Sequence, residues 1–136
     1  MYKHILVATD GSELSTKAVA NGIRLANAPG ALVTVLTVAV TRAPVMIEGV
    51  LVGPSDEATR ILHAASTEAH QTGATCQTVV VIDREPYRAI IDTAHSRAYD
   101  LIVMASHGRR GYTALLLGSE THKVLAHSTI PVLVHR

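Results

Sequence analysis

The sequence predicts an α/β fold: a doubly wound, five-stranded parallel sheet with helices on both faces and strand order 3-2-1-4-5. Three observations carry this. Five short segments are apolar almost without interruption and rich in β-branched residues, as strands buried on both faces must be. The stretches between them repeat apolar residues at spacings of three and four, the period of a helix with one buried face. The two kinds of segment alternate with short connections, which calls for right-handed crossovers and a parallel sheet. At 136 residues the chain is one domain, 1–136, long enough to bury a core without staples.

The first strand is His4–Ala8. Ser12 then serves as N-cap of a helix over Glu13–Ala28, because its hydroxyl can accept a first-turn N–H. Ala18, Val19, Gly22, Ile23, Leu25 and Ala26 share the inward face of that helix. Leu32–Val40 is the second strand. The segment Ala39–Pro54 that follows is long for a strand-to-helix loop. It holds Pro44, Gly49, Gly53 and Pro54, yet also Val45, Met46, Ile47, Val50, Leu51 and Val52. So apolar a loop is expected to pack on a ligand, a partner or its own domain. The second helix, Ser55–Thr72, turns Ala58, Ile61, Leu62, Ala65 and Ala69 inward and stops at Gly73. Thr78–Ile82 is the third strand. Pro86 opens the third helix, at a position where its missing N–H costs nothing, with Ile90, Ile91 and Ala94 facing inward. Strand Leu101–Ala105, a helix from Ser119 to Ala126 and strand Val132–Val134 complete the alternation.

Composition narrows the function classes. Apolar residues make up 48% but aromatics only 3%, with four Tyr, no Phe and no Trp, so the core is aliphatic. That excludes a disordered chain and argues against readers of single-stranded nucleic acid, which stack bases on aromatic rings. Twelve basic residues face eleven acidic ones without long runs of either sign, so bulk electrostatic binding to DNA or to an anionic membrane is not indicated. The single Cys, Cys76, cannot form an internal disulfide, which fits a reducing cytoplasm. The N-terminus begins directly as a strand, so no secretory leader is expected. The longest apolar runs fall short of the roughly 18–20 residues that span a membrane.

Folds of this kind bind ligands beyond the carboxyl ends of their strands, where the strand order reverses. The informative loops are therefore Thr9–Ser12, Ala39–Pro54 and Ser106–Leu117. In the first, Asp10 can accept from a ribose hydroxyl or hold a metal through water; the plainer role for Asp10 and Ser12 is to cap the helix. In the third, Ala105-Ser106-His107-Gly108-Arg109-Arg110-Gly111 leads through Tyr112–Leu117 to Gly118-Ser119 at a helix start. Small residues admit close backbone approach, and free N–H groups with the helix dipole favour phosphate there. Arg109 and Arg110 can add charge-assisted contacts, or stand as solvated cations on a surface loop. The loop is neither a Walker motif, since no Gly-Lys-Ser/Thr occurs, nor the dinucleotide fingerprint, which follows the first strand.

These motifs together resemble the universal stress proteins. Their ATP-binding members carry G-x2-G-x9-G-[ST] after the fourth strand, and this chain reads Ala105-x2-Gly108-x9-Gly118-Ser119. VATDGS at the first strand, DLIVMASHGR at the fourth and HSTIPVLVHR at the end are similar to the family's own segments, so the likeness covers essentially the whole chain. It implies a Rossmann-like fold, related to the adenine nucleotide alpha hydrolases. It further implies a cytoplasmic, homodimeric stress-response or signalling module that holds ATP or AMP without fast turnover. By that analogy Ala8, Thr9 and Asp10 lie against adenine and ribose, and the backbone around Val38 hydrogen-bonds the adenine. Ala105, His107, Gly108 and Arg109 surround ribose and phosphates, and Gly118, Ser119, Glu120 and Thr121 meet the phosphates. A Mg2+ ion would bridge the phosphates, with Asp10 as a candidate protein contact. The partner strand would be Ile130–Val134, an apolar edge that a two-fold copy can cover.

Two departures stand out. Ala105 replaces the first glycine of the motif; a positive φ there would cost Ala roughly 1 kcal/mol or more, an ordinary φ nothing. Arg84-Glu85-Pro86 stands where many relatives have Gly before Pro, which concerns the third helix only. Slow hydrolysis or autophosphorylation is compatible with the resemblance, but no side chain is placed as a general base, and Ser106 and His107 are adjacent rather than arranged as a triad. Of eight His, only His107 falls in the proposed site; His122 with His127, and His63 with His70, lack the i, i+4 spacing of a zinc helix. Two other classes remain in view. A nucleotide-free dimeric interaction protein of the same fold rests on Ala105 alone. A receiver or small flavodoxin-like enzyme would place clustered acids after the first strand, where only Asp10 stands.

Overall fold

The computed structural model describes residues 2–26, 29–40, 43–108 and 117–136. In chain order these form β1 (His4–Ala8), α1 (Glu13–Leu25), β2 (Leu32–Ala39), β3 (Val45–Ile47), β4 (Val50–Val52), α2 (Pro54–Thr72), β5 (Cys76–Ile82), α3 (Pro86–Ser96), β6 (Leu101–Ala105), α4 (Ser119–His127) and β7 (Val132–His135). Five strands make one parallel sheet in the order β5-β2-β1-β6-β7. With the short pair β3 and β4 set aside, this is the expected 3-2-1-4-5 pattern. The order reverses at β1, whose neighbours are β2 on one side and β6 on the other.

Strand alternation distributes the aliphatic side chains to the two faces. Ile5, Val7, Val33, Val35, Leu101, Val103 and Ala105 form one cluster with Ala18, Val19 and Ile23 of α1 and Leu62, Ala65 and Ala69 of α2. Leu6, Ala8, Leu36, Ile102 and Met104 point the other way, to Ile90 and Ala94 of α3 and Val124 of α4. Because both faces are covered, β1, β2 and β6 carry no polar alternation, which is why they read as continuous apolar runs. Asp100 fastens the amino end of the sheet: its carboxylate accepts from Lys3 N at 2.8 Å and His4 N at 3.0 Å.

Several boundaries differ from the sequence reading, each for a local reason. The third sheet strand starts at Cys76, two residues early, because Cys76 and Gln77 pair with Val33 and Thr34 of β2 although Gln77 is exposed. Leu25, expected inward, is exposed. It sits about a quarter turn from the centre of the stripe defined by Ser15, Ala18, Val19, Gly22 and Ile23. Ile61 and Ile91 are half-buried flanks for the same reason. Ala26 is the C-cap of α1, so the helix is shorter than expected. Gly73 ends α2 with φ +74°, as its position suggests.

The long Ala39–Pro54 segment contains a hairpin. β3 and β4 pair antiparallel through a two-residue turn at Glu48-Gly49, where both φ values are positive (49° and 79°). That is the backbone twist two-residue hairpins favour. Most of its side chains stay open: Met46, Val50 and Leu51 are each more than 60% exposed, whereas Val52 is half-buried. Of the three expected coverings, the described part of the domain supplies only a partial one, at Val52. Among the described residues, no helix is long and apolar enough to cross a membrane.

Candidate functional site

Parallel pairing brings the carboxyl ends of β1, β2 and β6 to one edge of the sheet, and the amino ends of α1 and α4 to the same edge. The site is assembled from the turn after β1, the end of β2, the turn after β6 and the start of α4.

The turn after β1 is internally bonded. Thr9 N donates to Leu36 O (2.9 Å), and the Thr37 hydroxyl donates to Thr9 O (2.7 Å), so the turn is anchored to β2. Ser12 caps α1 by accepting from Ser15 N. Asp10 Oδ1 accepts from Ser12 N at 3.0 Å and from the Ser15 hydroxyl at 2.9 Å. One oxygen of Asp10 thus stabilises the turn, the plainer of its two expected roles, while the other, Oδ2, lies against Gly108.

Gly108 and Gly118 are glycines because of what they touch. A Cβ built on Gly108 would overlap Asp10 Oδ2 and stand 3.2 Å from its Cγ. A Cβ on Gly118 would lie 3.1 Å from His107 Cα and 3.3 Å from Ser106 O. The Gly118 N–H also donates to Ser106 O at 2.6 Å. The two ends of the loop after β6 therefore meet, and the start of α4 is pressed onto Ser106-His107. At that start Gly118 is the N-cap without a side-chain cap, and His122 N is the first N–H to bond back, to Gly118 O. The N–H groups of Ser119, Glu120 and Thr121 precede that bond and form the dipole-positive turn suited to an anion.

Val38 contributes its main chain. Along β2 the groups of even-numbered residues face β1, as Leu32 N to Lys3 O and Leu36 O from Thr9 N show. Odd-numbered residues face β5, as with Val33 N to Thr75 O and Ala39 O from Asp83 N. Val38 lies two residues beyond Leu36, where β1 has already turned away. Its N–H and C=O therefore face the crevice beside the Thr9–Gly11 turn, while its side chain packs toward the α3 face.

Ala105 lies within β6, is not among the residues of positive φ, and buries its methyl in the α1 face. Its Cβ thus points into the core, away from the crevice. Two other residues assigned to phosphate contact have protein partners. The buried Thr121 hydroxyl donates to Ala105 O at 2.8 Å, tying α4 to β6. Glu120 Oε2 accepts from Tyr87 N at 2.8 Å and so serves the uncapped start of α3, with Lys123 Nζ 3.7 Å from its Oε1. His107 is half-buried at the loop's start, its Nδ1 3.4 Å from Gly108 O. Ala8 is buried at the end of β1, and Ser119 is the first residue of α4. Arg109, Arg110 and Tyr112 lie outside the described residues. Among those described, no group of three or more His, Cys, Asp or Glu is gathered as for a metal.

Sequence reasoning passed over Ser15. It is 3% exposed and contacts Thr9, Asp10 and Ser12 at once. The signal was present: a lone hydroxyl on the apolar stripe Ser15, Ala18, Val19, Gly22, Ile23.

A sequence profile described as the Universal stress protein family matches residues 1–136. The universal stress protein YxiE of Bacillus subtilis is 32% identical over 151 residues, covering all of both chains. Among solved structures, a universal stress protein in complex with cAMP superposes with a TM-score of 0.76 at 24% identity, over 99% of this chain and 97% of that one. The universal stress protein from Archaeoglobus fulgidus in complex with dAMP gives 0.74 at 22% identity, over 99% and 98%.

Proposed function

The chain belongs to the universal stress protein family, and from that premise we propose that it is an adenine-nucleotide-binding module of stress response or signalling, a cytoplasmic homodimer that holds ATP or AMP without fast turnover. The observation that carries the reading is the convergence at one crevice of three chemically distinct groups. The Val38 N–H and C=O match the donor–acceptor edge of adenine. The Asp10 carboxylate matches a ribose hydroxyl. The α4 amino end, brought close by Gly118, matches phosphate. The chain has no Phe or Trp, so the base is read by main-chain hydrogen bonds and aliphatic walls.

The residues present fit such a ligand. In this reading Ala8 and Thr9 lie on the adenine and ribose side, and His107, Gly108 and the main chain of Ala105 on the ribose and phosphate side; Arg109 is assigned there by the resemblance alone. Gly118 and Ser119 face the phosphates directly. Glu120 and Thr121 act mainly by holding α4 in place. A Mg2+ ion would be carried chiefly by the phosphates, with Asp10 as a candidate protein contact. Support for this reading over a nucleotide-free interaction protein comes from Ala105, whose methyl is buried against α1 and does not enter the crevice. The dimer would form along β7, an edge strand with Leu133 37% exposed.

The test is calorimetric titration with ATP and AMP, with and without Mg2+, alongside analysis of small molecules released by denaturing the purified protein. One nucleotide bound per chain is expected. No nucleotide released and no heat of binding would overturn the proposal.

A further inference from the structure

We propose that the buried hydroxyl of Ser15 is a positioning residue that fixes the Asp10 carboxylate through a directed hydrogen-bond relay, and that this relay makes the site read the ribose hydroxyls. The inference rests on the nucleotide reading above and goes beyond it, because Ser15 lies under the turn and touches the ligand only through Asp10.

The direction of the relay follows from counting protons. Ser15 Oγ is 2.9 Å from Asp10 Oδ1, 2.9 Å from Thr9 Oγ1 and 3.1 Å from Ser12 O, and it has one proton to give. A carboxylate at neutral pH only accepts, and bonds to charged acceptors are the stronger ones, so that proton goes to Asp10. The Ser15 oxygen then accepts from Thr9. The Thr9 oxygen in turn accepts from Gly11 N–H at 3.2 Å. The sequence Gly11 N–H, Thr9 hydroxyl, Ser15 hydroxyl, Asp10 Oδ1 is consistently oriented, and such chains strengthen each member.

The consequence is geometric. Oδ1 receives two donors, Ser12 N at 3.0 Å and Ser15 Oγ. Two bonds on one oxygen help hold the carboxylate plane, with Oδ2 at the Gly108 side, where the glycine makes room for it. Without Ser15, Oδ1 loses one of its two donors and the carboxylate is held less firmly in its plane. A ribose hydroxyl would then find its acceptor displaced, while adenine and phosphate contacts would be untouched.

The experiment compares ATP, 2′-deoxy-ATP and 3′-deoxy-ATP on the wild-type protein and on Ser15→Ala, Asp10→Ala and the double variant, by calorimetry with thermal melting as a fold control. The wild type should prefer ATP over at least one deoxy analogue. Ser15→Ala should lose about tenfold in ATP affinity and less than twofold for that analogue, so that discrimination falls toward the Asp10→Ala value. Adding Ser15→Ala to Asp10→Ala should change discrimination no further. Wild-type discrimination retained in Ser15→Ala overturns the inference, as does an equal loss for all three nucleotides, which marks general loosening. A wild type that binds ATP without discriminating overturns it while the nucleotide reading stands. A wild type that binds no nucleotide overturns both.

Discussion

Replacing Gly108 by Ala tests whether the missing side chain serves Asp10 rather than the ligand alone. The new Cβ would overlap Asp10 Oδ2 and stand 3.2 Å from Cγ, and no other described atom comes closer than 3.9 Å. Either the carboxylate swings out, giving up the bonds from Ser12 N (3.0 Å) and Ser15 Oγ (2.9 Å), or the turn after β6 retreats. Each bond to a charged acceptor is worth about 1.5–3 kcal/mol, but a part-buried carboxylate regains water as it leaves, so the net loss is about 2 kcal/mol. For a domain of this size that lowers Tm by roughly 6–10 °C. Urea denaturation of wild type, Gly108→Ala, Asp10→Ala and the double variant forms a closed cycle. In the Asp10→Ala background the obstacle is gone, and Gly108→Ala should cost less than about 0.5 kcal/mol, giving a coupling near 2 kcal/mol. An equal cost in both backgrounds would refute the reasoning and return Gly108 to a role in loop conformation.

Thr121→Val keeps the side-chain shape but removes the donor to Ala105 O, so unfolding stability should fall by about 1–2 kcal/mol, while Thr121→Ser should recover most of it. A neutral Thr121→Val in urea denaturation would show that α4 is not held to β6 by that bond. Burial pushes the Cys76 thiol above its ordinary value, opposed only in part by a backbone hydrogen bond from Val35. A raised native value means that the neutral thiol is favoured in the fold. This contribution to stability is complete below the ordinary thiol range, near pH ~8.5, and is lost as pH rises through the native value. Alkylation by iodoacetamide should therefore show a rate-against-pH curve displaced to higher pH in the native protein than in urea, and superimposed curves would contradict it.

Much of the site was legible because its residues announce themselves locally. The Gly108-x9-Gly118-Ser119 spacing marks a strand-to-helix loop, and Ser12 marks a helix start. Val38 was identified only through the resemblance; its physical role depends on where β1 ends relative to β2. Ser15 was passed over because a serine on an apolar stripe has no local signature of a partner. The hairpin was read as loop because Glu48-Gly49 is a weaker turn signal than Asn-Gly, and its strands are three residues each. Glu120 and Thr121 were assigned by motif position, while their protein partners lie 33 and 16 residues away in the chain.

The sequence by itself determined the alternation of strands and helices, most of the inward helix positions (Leu25, Ile61 and Ile91 excepted), and an interior aliphatic but for Tyr99. Those properties are written in short periodicities, of two for a strand and of 3.6 for a helix, and need no knowledge of distant neighbours. Only the tertiary structure decided that Gly108 makes room for Asp10, that Ala105 turns its methyl into the core, and that Ser15 stands beneath the turn. Each of these is a contact between segments brought together by sheet order, and excluded volume and hydrogen-bond direction act between atoms in space, which no local pattern encodes.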